Sequence, residues 1–222
     1  MDRAIRTAGP FISIGILLLL VAAAEAFPHA MIALGEEDGP LENLTALLFF
    51  IAGLIFLWSA RKAKDGQRLE GAYAVFFLVA WGVLMIVFAG EEISWGQRIF
   101  GFETPEAIDR ANKQNEFNIH NLAFFDSYGG TGNYVSIFML TVGIVLPVMD
   151  RLFPLIRRIG IPVPSLTCCI LFAGSYFYGV YFNLMPDRFD AELQFIYFHR
   201  HLPHFLVQKL DQSCFLFVQL IA

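Results

Sequence analysis

Residues 44–89 read LTALLFFIAGLIFLWSA, then RKAKDGQRLEG, then AYAVFFLVAWGVLMIVFA: two apolar runs on either side of a short connection rich in basic residues. A hydrocarbon core about 30 Å thick is crossed by roughly 20 helical residues, and each run comes close to that length. In lipid every backbone N–H and C=O needs an internal partner, so runs of this kind cross as helices. Three further stretches qualify, giving spans at about 11–34, 44–60, 72–89, 134–148 and 166–185. A sixth, over 205–222, is apolar at its end but interrupted by Lys209, Asp211 and Gln212. Either a last helix packs that polar turn against protein, or the chain is truncated inside an apolar run.

Composition agrees with this pattern. Of 222 residues, 57% are apolar and 16% charged, and 24 phenylalanines outnumber the 15 lysines and arginines; mean hydropathy is +0.59. Such values exclude disorder, remove the basis for nucleic-acid binding and depart far from those of a water-soluble domain. The expected fold is all-α: a polytopic helical membrane protein, one integral membrane domain over 1–222. Five or six spans and a long extracytoplasmic loop with short interfacial helices would compose it.

Basic residues orient such a chain, because they are retained on the cytoplasmic side. With the N-terminus inside, the inner segments carry Arg3, Arg6, Arg61, Lys62, Lys64, Arg68, Arg151, Arg157 and Arg158 against Asp2, Asp65, Glu70 and Asp150. The outer segments carry Arg98, Arg110, Lys113, Arg188, Arg200 and Lys209 against most of the 20 acidic residues. The N-terminus is therefore expected in the cytoplasm. Arg3 and Arg6, the run 11–24 and Ala24-Glu25-Ala26 also resemble a secretory signal with its cleavage site. Ala22, Ala26 and Ala30 give the same segment a small-residue packing face, so it is read as a span. The loop after it lies outside either way. Cys168, Cys169 and Cys214 have no CxxC spacing and read as small packing residues.

Polar residues gather at the outer level. Glu25 lies within a span, where an ionisable group marks a functional site or a buried pair, and His29 follows one turn later. Gly35-Glu36-Glu37 follows the first span and Gly90-Glu91-Glu92 the third. Carboxylates at a helix C-terminus oppose the macrodipole, so glycine capping accounts for the glycines and not for the acids. A divalent cation, a basic partner such as Arg98, or solvation would stabilise them. Asp38, Gly39, Pro40 and Glu42 read as the start of the second span, with Asp38 or Gly39 as N-cap.

The segment 90–132 is too polar to span and too long for a plain connection, which points to functional loops. Thr104-Pro105-Glu106 should start a short helix. If it continues, Asn112, Glu116 and His120 share one face, suited to binding a metal or activating water. The amides of Asn112, Gln114, Asn115, Asn118 and Asn121 serve equally well for an internal network holding the loop over the membrane. Trp95, Phe100, Phe102, Phe117, Phe124 and Phe125 suit the interfacial layer, rings toward lipid. Further on, His199, His201 and His204 are competent metal ligands, although Pro203 breaks their periodicity; a basic, aromatic interfacial hairpin is the plainer account.

The strings GEEISWGQR (90–98) and NKQNEFNIHN (112–121) resemble the signature of a family of uncharacterised bacterial multi-pass membrane proteins. Membership implies a bacterial inner (plasma) membrane location and carries no assigned reaction. A fainter likeness is to alkaline ceramidases and related seven-helix membrane hydrolases, which use acidic residues, asparagine and three histidines on zinc. This chain departs from them in having fewer spans and no His-x-x-x-His in its tail.

There is no G-x-x-x-x-G-K-[ST] for nucleotide-driven transport and no G-x-S-x-G for a serine hydrolase. Ion translocation through Glu25 lacks polar residues in the inner halves of the spans. Two expectations remain. One is a metal-dependent hydrolase or transferase acting on a lipid-like substrate at an extracytoplasmic acidic and histidine site. Glu92, Glu116 and His120 would be catalytic, and Glu25, His29, Glu37, Glu91, His199, His201 and His204 would hold zinc, calcium or magnesium. The other is a non-catalytic accessory or assembly subunit of a membrane complex, docking a protein partner through the 90–132 loop.

Overall fold

The computed structural model describes residues 39–64, 72–126 and 140–164, with single positions among 11–34 and 134–138 and at 169 and 173. The expected spans at 166–185 and 205–222, and much of that at 11–34, lie outside the described residues. Among the described residues the chain is helical and has no strand, only an isolated antiparallel bridge between Asn112 and Leu122.

Helix α1 covers Pro40–Lys64 and α2 Ala74–Glu92. Both are long and apolar enough to cross a membrane, over Glu42–Ala63 and Ala74–Glu92. The start of α1 follows the sequence: Gly39 precedes it, Pro40 needs no N–H at the first position, and Glu42 sits in the first turn near the positive end of the dipole. Asn43 adds a side-chain bond from Nδ2 to the Gly39 carbonyl at 3.0 Å. Glu42 and Thr45 are both buried, one turn apart.

The two helices run antiparallel. Phe49 meets Phe88 edge to face at 5.4 Å between ring centroids, and Phe56 stacks on Trp81 at 6.4 Å. Between these pairs the backbones cross at two glycines. A Cβ on Gly53 would lie 2.9 Å from the Gly82 carbonyl oxygen and 2.7 Å from Ile86 Cγ1. Helices in lipid associate by close packing of this kind rather than by a hydrophobic driving force. Met85, Ala52 and Ala89 fill the seam with Phe49.

A third helical segment packs on α2. Positions 134, 137, 138 and 140 are helical, a π-helical turn follows over Thr141–Val145, and α3 continues over Leu146–Leu152. Phe138 touches Phe88 and Trp81, and Val142 is buried in the core. Pro147 has no N–H to return to Gly143, and the widened turn falls on the residues that would face its ring. Pro154 opens α4, Leu155–Ile159, whose Arg158 and Ile159 carbonyls accept the N–H groups of Ala72 and Tyr73, both at 2.9 Å. Gly160, at φ 88°, closes against Ala74. These bonds give partners to N–H groups ahead of α2 that no helix would supply.

The structure thus has a basic end, with Arg61, Lys62, Arg151 and Arg158, and an acidic end, with Glu42, Glu91 and Glu92. One expectation changes here. Gly90 does not cap α2; the helix runs on through Glu92 and ends at Ile93. Gly90 is small because the Trp95 ring lies on it, 2.9 Å from where a Cβ would stand.

Candidate functional site

Beyond α2 the chain turns through Ser94, Trp95 and Gly96 at φ 47°, 54° and 79°. Two non-glycine residues in the left-handed region cost about 1–2 kcal/mol each, so the surroundings must hold them. They do so through two glutamates. Glu91 Oε1 accepts the indole N–H of Trp95 at 2.7 Å. Glu91 Oε2 accepts the backbone N–H groups of Ile119 at 2.7 Å and His120 at 3.0 Å, and His120 Nδ1 lies 3.4 Å from it. Glu116 Oε2 accepts from Ser94 Oγ at 2.9 Å and Asn118 Nδ2 at 2.6 Å, while Arg98 Nη2 stands 3.5 Å from Oε1.

The amides complete the network. Buried Asn112 donates through Nδ2 to the carbonyl and Oδ1 of buried Asn118, at 3.0 and 2.8 Å. Its own Oδ1 accepts the N–H groups of Gln114 at 2.9 Å and Glu116 at 3.4 Å. Gln97 spans the loop: Oε1 accepts from Phe117 N at 2.7 Å and Nε2 donates to Thr104 Oγ1 at 2.8 Å. Thr104 in turn donates to the carbonyl of Asn115, which holds φ 58°. Asn121 bonds Gln114, and Arg110 pairs with Glu106.

Two sequence expectations for this loop are corrected. Thr104 does not cap the helix Glu106–Asp109, which starts at Pro105 without a side-chain bond, because its hydroxyl is engaged with Gln97 and Asn115. Nor does that helix continue to align Asn112, Glu116 and His120. It ends by Arg110, since the Asn112 side chain takes N–H groups that a further turn would need. Folding instead makes two separate pairings, Glu91 with His120, 29 residues on, and Glu116 with Ser94, 22 residues back.

For Glu91 the partners are ones the sequence did not suggest. Glu91, at the unfavourable end of the helix dipole, is held by an indole and two backbone N–H groups; Arg98 faces Glu116 instead. Glu92 is half-buried next to them. No group of three His, Cys, Asp or Glu side chains suited to a metal occurs among the described residues. Glu25, His29, Glu37, His199, His201 and His204 lie outside those residues, so of the expected metal ligands only Glu91 is placed. Ser94 and Gln97, which the sequence did not single out, are central; their spacing from Glu116 and Phe117 carries no local periodicity that would have marked them.

Outward from this polar interior stand Ile99 and Phe100, 71% and 78% exposed, with Phe102, Ile119 and Phe124 also exposed. Gln97 and Arg98 turn inward on the same short helix, Gln97–Phe100, so its two apolar residues point away. The chain matches no family model, no curated protein and no solved structure in comparisons with known proteins.

Proposed function

We propose that the chain is a multi-pass integral membrane protein of a bacterial inner membrane, with a cytoplasmic N-terminus, whose 90–126 segment is a prebuilt extracytoplasmic docking platform for a partner protein. Membrane residence is supported by the faces of α1 and α2. Only about a third of each apolar window is buried, 33% and 28%, and Leu47, Phe50, Leu54, Phe76, Val79 and Val83 face outward. A surface of that size would associate in water. The accessory role is carried by one observation: Glu91 and Glu116 take their hydrogen bonds from residues 94–120 of the same segment, while Ile99 and Phe100 are presented outward on that hydrogen-bonded base. A few anchor side chains buried in a partner's pocket carry most of the energy of a protein interface.

The test is Ile99→Ser with Phe100→Ser in the full chain in its native membrane, followed by cross-linking from position 103. Loss of a cross-linked partner while the unfolding temperature is kept supports docking. An unchanged pattern overturns it.

A metal-dependent hydrolase or transferase on a lipid-like substrate is the second reading, favoured by the Glu91–His120 and Glu116–Ser94 pairings on either side of a left-handed turn. Its mark is stoichiometric metal in the purified protein that is lost in Glu92→Ala with His120→Ala.

A further inference from the structure

The end of the hairpin opposite the glutamate network carries a different chemistry. Arg61 and Lys62 close α1, and Arg151 and Arg158 bracket the turn at Pro154; all four are exposed. The bonds from Ala72 and Tyr73 to the Arg158 and Ile159 carbonyls fix α4 beside the start of α2. In the antiparallel register set by Phe56 and Trp81, the end of α1 arrives at the same level. Asp150 is the one acidic residue described at this end.

Charge alone would suit any anion. Two observations select an amphiphile. Leu152, Phe153 and Leu155, interleaved with the arginines around Pro154, are 62%, 53% and 60% exposed. A short basic segment with outward apolar side chains lies in the headgroup layer with its apolar groups in the acyl boundary. On α1, Lys62 Nζ sits 4.2 Å over the ring of Trp58, itself 57% exposed, so an aromatic anchor and an ammonium are paired at one depth.

We propose that this end binds the headgroup of an anionic phospholipid, with Arg151 and Arg158 facing the phosphate and Phe153 and Leu155 against the acyl chains. The proposal rests on the membrane reading above. Each basic side chain near an anionic surface contributes about a five-fold preference, lost as salt screens it.

The experiment places the full chain in nanodiscs of phosphatidylcholine with a minor share of phosphatidylglycerol and measures which lipid is retained by native mass spectrometry. Selective retention of phosphatidylglycerol is expected, falling roughly five-fold in Arg151→Gln and further in Arg151→Gln with Arg158→Gln. The control Arg110→Gln, on the other face, should leave it unchanged. Glycerol phosphate at millimolar concentration should not compete. Equal retention of both lipids, selectivity indifferent to the arginines, or competition by glycerol phosphate would each overturn the proposal. Failure of the membrane reading is seen separately, as release of the protein from native membranes by alkaline carbonate.

Discussion

The indole N–H of Trp95 donates to Glu91 Oε1 at 2.7 Å, four residues back along the chain and across a turn in which Ser94, Trp95 and Gly96 all hold positive φ. The other oxygen of that carboxylate holds the backbone at residues 119 and 120. One side chain therefore joins the end of α2 to both ends of the polar loop.

Replacing Trp95 by Phe keeps a ring over Gly90 and deletes the donor. A hydrogen bond to a charged group is worth about 1.5–3 kcal/mol, and thermal unfolding in detergent should show a loss of that size. Glu91→Gln, which turns an acceptor into an amide with donors facing donors, should cost at least as much. Because the two changes remove one shared bond, the double variant should lose less than their sum. Strict additivity would show that the bond contributes nothing.

Gly90→Ala tests the seat beneath the indole. Alanine favours a helix over glycine by about 1 kcal/mol, yet its Cβ would stand 2.9 Å from Trp95 Cε3. The clash should prevail and the variant should be destabilised by about 1–3 kcal/mol. In a Trp95→Ala background the same change should become stabilising, a reversal of sign that unfolding measurements read directly.

At the crossing of α1 and α2, Gly53→Val and Gly82→Val should each force the helices apart and cost about 1–3 kcal/mol. Leu54→Val, on the exposed face beside Gly53, should change stability by less than about 0.5 kcal/mol. Similar losses at positions 53 and 54 would mean that the glycine contact does not set the helix separation.

Within the loop, burial decides which polar group matters. Asn118, 2% exposed, bonds Glu116, Ser94 and Asn112, so Asn118→Ala should cost about 1–3 kcal/mol and raise hydrogen exchange across residues 112–121. The Arg98–Glu116 pair is partly exposed at 3.5 Å, and Arg98→Gln should cost less than about 1 kcal/mol.

Much of the scaffold was legible in the sequence because length and apolarity are local properties. The runs 44–60 and 72–89 became α1 and α2 with a few residues added at their ends, and Gly39-Pro40 marked the start of α1 as cap chemistry predicts. The basic and acidic residues of these helices sort to opposite ends as their positions in the chain require. The loop was legible only in kind. Its amides announced a hydrogen-bond network as one of two accounts, but the helical stripe of Asn112, Glu116 and His120 assumed a period that the Asn112 side chain breaks. Gly90 was read as a cap because nothing local reveals an indole folded back onto it.

Hydropathy, charge placement and helix-start chemistry, each summed over neighbours along the chain, were enough to set α1 and α2 and the opposite ends at which their basic and acidic residues lie. Which donor meets which carboxylate was decided by tertiary structure, since Glu91 and Glu116 are satisfied by groups 2 to 29 residues away whose approach depends on two left-handed residues and one glycine. A hydrogen bond is a short-range, directional contact, and only the folded path of the chain brings those atoms within 3 Å.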